Sequence, residues 1–199
     1  MTTILVLFYS KHGTTRLLAE HIVLGIESVG AVAKLRTVAP ISDQIEKTRD
    51  DIPSSGYAYA NLDDLTSCDG LIYGSPTHFG NMAGAMKYFW DNTSSVWLKG
   101  SLIGKPASVF TSSSSLHGGQ ESTLLSMMLP LLHQGMMIMG IPYSEAALHT
   151  TSSGGTPYGV TSVHKHGQKL GLSKEEKELA FAQGKRLAQV VQKLQGSNR

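Results

Sequence analysis

The sequence predicts a doubly wound α/β fold with a parallel sheet of five strands and helices on both faces. Three observations predict it: an unbroken apolar strand near the start, apolar positions at helical spacing directly after it, and further short apolar strands alternating with helices. Ile4-Leu5-Val6-Leu7-Phe8-Tyr9 is continuous apolar sequence, the pattern of a strand covered on both faces. After the polar turn Ser10 to Thr14, apolar residues recur at Leu18, Ile22, Ile26 and Val29, and Gly30 is placed as a helix stop. Ala31 to Val38 reads as a second strand whose Lys34 and Arg36 suit a sheet edge. Leu71-Ile72-Tyr73 and Ala107-Ser108-Val109-Phe110 are two short buried strands, and Met136 to Gly140 is a fifth. Helices are expected at about Ala83 to Thr93 and Gln120 to His133, and a last one runs from the capping box Ser173-Lys174-Glu175-Glu176 to about Leu194. Two stretches break the alternation. Pro40 to Asp69 is polar with little periodicity, and Ile141 to Leu172 is rich in Gly, Ser, Thr and His, long enough to be a functional or assembly element. No repeat or linker divides the chain, so residues 1–199 are expected to form one domain with a long insertion at about 141–172.

Composition narrows the partners. Seventeen Lys and Arg against fifteen Asp and Glu leave a net charge of +2, too weak a field to call for nucleic acid. Hydrophobic residues make up 41%, enough for a real core and against a disordered chain. Charged residues make up only 16%, below the roughly 25% of an average domain, which is the expectation when other subunits cover part of the surface. The single cysteine, Cys68, forms no intrachain disulfide or sulfur-based metal framework, so a reducing cytoplasm is expected. Met1-Thr2-Thr3 leads straight into the first strand without a secretory pattern, and no window approaches the about 20 apolar residues of a membrane span.

In open α/β sheets ligands bind beyond the carboxyl ends of the strands, which directs attention to three loops. The first, Ser10-Lys11-His12-Gly13-Thr14-Thr15, lacks both the GK[ST] ending of a nucleotide loop and the GxGxxG of a dinucleotide turn. What remains is a hydroxyl-rich turn at a helix N-terminus, equally suited to a phosphate monoester or to simple capping by Thr14 or Thr15. The second, Gly74-Ser75-Pro76-Thr77-His78-Phe79-Gly80-Asn81-Met82, joins turn formers to one aromatic ring and one imidazole, and serves either a ligand or a tight connection with Phe79 packed inward. The third, Thr111-Ser112-Ser113-Ser114-Ser115-Leu116-His117-Gly118-Gly119-Gln120-Glu121, sets five consecutive hydroxyls and two glycines before a helix, where a flexible linker is out of place. A ligand with one phosphate and a flat, hydrogen-bonding body fits such a rim.

These residues, together with Gly154-Gly155-Thr156-Pro157-Tyr158-Gly159, resemble the WrbA-type NAD(P)H:quinone oxidoreductases of the flavodoxin-like superfamily. The resemblance covers nearly the whole chain, and the blocks around Gly74 to Met82, His117 to Glu121 and Gly154 to Gly159 carry it in order and spacing. It implies the strand order 2-1-3-4-5, non-covalent FMN as cofactor, NADH or NADPH as co-substrate and quinones as acceptors. It places the FMN phosphate in the loop of Ser10, Lys11, His12, Gly13, Thr14 and Thr15. It sets Pro76, Thr77, His78, Phe79 and Gly80 beside the flavin ring, and it gives Thr111, Ser112, Ser113, Ser114, Ser115, Leu116, Gly118 and Gly119 to the ring edge and ribityl chain. It further implies a homodimer or homotetramer whose shared pocket takes Trp97 and His133, with His12 on the nucleotide side and His133 as the polar contact or proton donor to the quinone. This chain carries His12 where many members have an aromatic residue and His78 where many have arginine, and its third loop is about one residue longer.

Other residues have plainer meanings. His133 equally suits the closing turn of a helix, and Trp97 equally suits an interface or core aromatic. Met127, Met128, Met136, Met137 and Met139 are expected to fill core or subunit contacts. His164 and His166 are a metal pair only in outline, with no third ligand nearby, and no metal is expected. Cys68 reads as a small buried hydrophobe, and Asp63 and Asp64 as solvated helix-start carboxylates. A one-electron carrier and an FMN-binding assembly module are the rival functions.

Overall fold

The computed structural model describes residues 1–41, 56–164, 167 and 169–196. Strand β1 (Thr3–Phe8) is followed by α1 (Thr14–Glu27), β2 (Val32–Thr37) and α2 (Leu62–Ser67). Next come β3 (Gly70–His78), β4 (Asn81–Met82), α3 (Gly84–Asp91), α4 (Ser94–Leu98) and β5 (Pro106–Ser113). Helix α5 (Gln120–His133), β6 (Met137–Ile138), α6 (Ala147–Thr150), β7 (Thr161–Val163) and α7 (Lys174–Gly196) complete the chain. The sheet runs β2-β1-β3-β5-β6 with parallel pairing throughout, which is the expected 2-1-3-4-5 order when strands are counted along that path. Among the described residues no helix is long and apolar enough to cross a membrane.

The pleat explains why the strands are apolar without alternation. Along β1, Ile4, Val6 and Phe8 join a core with Leu18, Ile22 and Ile26 of α1 and Leu179 and Leu187 of α7. Leu5 and Leu7 point the other way, into a core with Tyr73, Met86 and Trp90 and with Leu124 and Met127 of α5. Parallel strands need crossovers, and the helices that supply them cover both faces.

The fifth strand departs from expectation. Met136 to Gly140 yields only the two-residue β6, paired with Pro106 and Ala107, while the other half of β5 pairs through Thr111, Ser112 and Ser113 with β7. The stretch 141–172 therefore leaves the sheet after β6 and returns to it as β7, containing α6 on the way. Between the two halves the Met139 N–H donates to the Ala107 carbonyl and the Thr111 N–H to the Val160 carbonyl, so the chain stays bonded to β5 on leaving and on returning. The short hairpin strand β4 was not foreseen, and α3 ends at Asp91, with α4 starting separately after Thr93.

Within Pro40 to Asp69, residues 42–55 lie outside the described residues, but Asn61 opens α2 with a reciprocal capping box to Asp64. Contrary to the expectation of a solvated carboxylate, Asp64 is 3% exposed and paired to Lys34 Nζ at 2.9 Å and Arg36 Nε at 3.3 Å. The basic residues of the edge strand β2 draw it in. Cys68 is the small buried group expected, and burial pushes its thiol pKa up to about 11.

Candidate functional site

A cavity of about 510 Å³ opens where the loops after β1, β3 and β5 converge at the carboxyl edge of the sheet. Ser10, Lys11, His12, Thr14 and Thr15 form its first wall. Gly13 is the N-cap of α1 at φ +94°, a backbone shape that disfavours any side chain, and neither Thr14 nor Thr15 takes the capping place. Ser10 does that work from three residues earlier: its Oγ accepts from the Gly13 N–H at 3.1 Å and the Arg16 N–H at 3.3 Å. The backbone N–H groups of Thr14 and Thr15 are left without an acceptor among the described residues, the arrangement that favours an anion at a helix start. Thr15 is buried, and its hydroxyl bonds Ser112 Oγ at 2.8 Å, fastening the first loop to the third.

Pro76, Thr77 and His78 form the second wall at the end of β3. Beyond them Phe79 and Gly80, at φ +54° and +77°, link β3 to β4 with positive φ at both central positions of a two-residue hairpin. Phe79 does not pack inward. It is fully exposed and holds a left-handed backbone that a bulky residue rarely adopts, the kind of strain that surrounding structure must impose. The hairpin tip rests on the third loop. A Cβ on Gly119, the α5 N-cap at φ +86°, would lie 3.0 Å from Gly80 Cα, so the close approach of the two loops needs glycine at 119. Thr77 Oγ1 meets Thr123 Oγ1 of α5 at 2.6 Å, tying the second wall to the same helix.

Ser112, Ser113 and Ser114 supply the third wall. Thr111, expected among the cofactor contacts, does not reach the cavity: it is fully buried and donates to the Ser75 carbonyl at 2.7 Å, joining β5 to β3 beneath the loop. Ser115 and Leu116 are exposed outside the lining, and their carbonyls accept from Gln120 Nε2 at 2.8 and 2.9 Å, which shapes the turn into Gly118 and Gly119.

A fourth wall was missed in the sequence. His164, Gly167 and Leu170, from the returning end of the 141–172 stretch, line the same cavity. The signal present there, histidines and glycine within a polar insertion, says nothing of which loop it meets. His166 lies outside the described residues. Among the described residues the lining carries Lys11, His12, His78 and His164 and no carboxylate, so it favours an anionic guest.

Trp97 and His133 are elsewhere. Helix α5 starts at the cavity rim and runs about 20 Å to His133, at the opposite edge of the sheet. There Gln134 Nε2 donates to Thr93 Oγ1 at 3.1 Å, so the end of α5 and the short helix bearing Trp97 are neighbours. Both residues are exposed, beside exposed Leu98, Ile103, Leu132 and Met137. One chain by itself does not bring them to its own cavity.

The NADPH-dependent FMN reductase family model matches residues 2–150. The chain is 43% identical to an NAD(P)H dehydrogenase (quinone) of Geobacter sulfurreducens, covering 97% of this chain and 99% of that protein. It is 38% identical to one of Gluconacetobacter diazotrophicus, with 98% and 99% covered. Among solved structures, a flavodoxin, WrbA-like protein from Agrobacterium tumefaciens superposes with a TM-score of 0.65 over 97% of this chain and 99% of that one, at 22% identity, a likeness of fold. With three quarters of its length inside the family model and a rim of loops to match, the chain belongs to the NADPH-dependent FMN reductase family, on the flavodoxin-like fold.

Proposed function

We propose that the protein is an NAD(P)H:quinone oxidoreductase that uses FMN held in this cavity, acting as one cytoplasmic domain. The observation that carries the proposal is the convergence of three backbone-braced loops on a cavity that, among the described residues, has no carboxylate in its lining and no acceptor for the first amides of α1. Its relatives named NAD(P)H dehydrogenase (quinone) support the same activity over nearly full length. The donor set suits FMN: a phosphate matches the free N–H groups of Thr14 and Thr15 with the hydroxyls of Ser10, Thr14 and Thr15, while Ser112 to Ser114 face a ribityl chain and ring edge. Bound FMN would supply the chemistry that passes two electrons from NADH or NADPH to a quinone.

The chain's own residues bind and orient. Gly118 and Gly119, at the positive end of α5, stabilise negative charge at the polar edge of the ring. Pro76 to Gly80 hold one side of the ring, and the exposed Phe79 covers its border against water. NAD(P)H and quinone use one opening in turn. Trp97 and His133 reach it only from a second copy, so the working form is a homodimer or homotetramer in which His133 of a neighbour donates to the quinone oxygen. The exposed apolar residues around both positions support burial of that edge by another subunit.

An anaerobic titration tests the proposal. NADH or NADPH should bleach the visible band of the FMN-loaded protein and benzoquinone should restore it. Failure of either half rejects the oxidoreductase, leaving a carrier if flavin binds and neither if it does not.

A further inference from the structure

We propose that His164 adds to the selection of a phosphorylated flavin by this protein, its imidazole donating to the phosphate held at the start of α1 so that the preference for FMN over riboflavin is raised. The proposal rests on the flavin site above and assigns to it a residue from outside the three loops.

The backbone of His164 is pinned. Pairing of β7 with β5 runs through Thr111–Thr161, Ser112–Ser162 and Ser113–Val163, and the His164 N–H continues it by donating to the Ser113 carbonyl at 2.9 Å. Behind it, Glu176 accepts from the Val163 N–H at 3.0 Å and from Ser162 Oγ at 2.9 Å, which holds β7 from α7. His164 therefore leaves the sheet beside Ser114 at a set height above the cavity floor.

The phosphate end is within the same compartment. Helix α1 packs against β7 as well as β5, and Ser112, the register partner of Ser162, bonds Thr15 at the first turn of α1. Leu170 lies across the start of α1: its Cδ2 would lie 2.8 Å from a Cβ on Gly13. The cavity thus lies between the free amides of Thr14 and Thr15 and the imidazole of His164.

The imidazole is available for a ligand. It is half-buried, and among the described residues it makes no hydrogen bond and meets no carboxylate in the lining. Lys11, His12 and His78 also line the cavity, but all three are exposed and lie on or beside turns. A half-buried donor on a pinned strand end loses less freedom on binding than these, so it contributes more selectively.

Riboflavin differs from FMN only in lacking the phosphate, which isolates the effect. The full-length protein, freed of flavin, is titrated with each, followed by quenching of flavin fluorescence. His164→Ala should raise the FMN Kd about tenfold and leave the riboflavin Kd unchanged. His164→Gln, which keeps the polarity and half-buried volume, should show the same selective loss to a smaller degree, and it decides the matter if the alanine variant is unfolded by circular dichroism. Equal weakening of both flavins, or no change in either, overturns the role of His164 while leaving the flavin site intact. A wild-type protein that binds neither flavin overturns the site itself.

Discussion

Helices α2 and α7 each begin with a buried carboxylate three residues past the N-cap, and the two are stabilised by different means. At α2, Asp64 accepts the Asn61 N–H at 3.0 Å and is met by Lys34 and Arg36 from the edge strand, whose side chains remain 30% and 26% exposed. At α7, Glu176 is 1% exposed with no ion pair among the described residues. It accepts instead from Ser153 Oγ at 2.5 Å, Gly154 N–H at 3.0 Å, Ser162 Oγ at 2.9 Å, Val163 N–H at 3.0 Å and Ser173 N–H at 3.0 Å. The edge has room for cations that keep part of their hydration. The interior does not, and only dipoles aimed by the backbone compensate a charge there. The two carboxylates consequently do different things: Asp64 joins one helix to a neighbouring strand, whereas Glu176 fastens both arms of the 141–172 stretch to the helix that follows it.

The largest effect expected from this contrast is that of Glu176→Ala. Five donors lose their acceptor at once, and stability should fall by about 3 to 5 kcal/mol in urea titration. A loss below about 1 kcal/mol would show that water replaces the carboxylate easily and would erase the difference from Asp64.

Asp64→Asn should cost about 1 to 2 kcal/mol, with a distinct dependence on pH and salt. Burial opposes ionisation of Asp64, but the Lys34 ammonium, the Asn61 N–H and the Arg36 guanidinium outweigh it and hold the carboxyl below its ordinary value. The folded state thus binds its proton less readily than the unfolded one, so the contribution is complete above about pH 4 and vanishes as pH falls through the lowered value. Acid titration of the Asn variant should show a flatter low-pH limb than wild type, and identical limbs would remove Asp64 from the account.

The smallest effect sharpens the locality of the contrast. Cys68 closes α2, its Sγ donating to the Leu65 carbonyl at 3.1 Å, and with a pKa near 11 it is almost wholly protonated at neutral pH. Iodoacetamide should label it only through local opening. Asp64→Asn should accelerate labelling severalfold while Glu176→Ala changes it less under conditions where both variants are folded; the reverse order would mean that the α7 fastening controls the whole sheet.

Much of the frame was legible because its signals are local. The apolar run of β1, the spacing of Leu18, Ile22 and Ile26, and the capping box Ser173 to Glu176 each lie within one element. Placement of Ser10 to Thr15 and Pro76 to His78 at one rim followed from the rule that strand ends gather ligands. The split outer strand was not legible, since two residues at Met137 and three at Thr161 have no periodicity, and each is a strand only because β5 offers it a free edge. Nor was the division inside the hydroxyl run: Thr111 and Ser112 are alike on paper, and the pleat buries the first under Ser75 while opening the second to the cavity.

The amino-acid order by itself determined the elements, their alternation and the polar character of three loops, because turn chemistry and hydrophobic periodicity act over a few neighbouring residues. Only the tertiary structure decided that Asp64 is buried, that Phe79 stands in solvent, that His164 joins the cavity and that His133 lies at the far edge. Each of those outcomes depends on partners distant in the sequence or on the length of a helix between two edges, and no local pattern encodes which distant edge, cation or cavity wall a residue will meet.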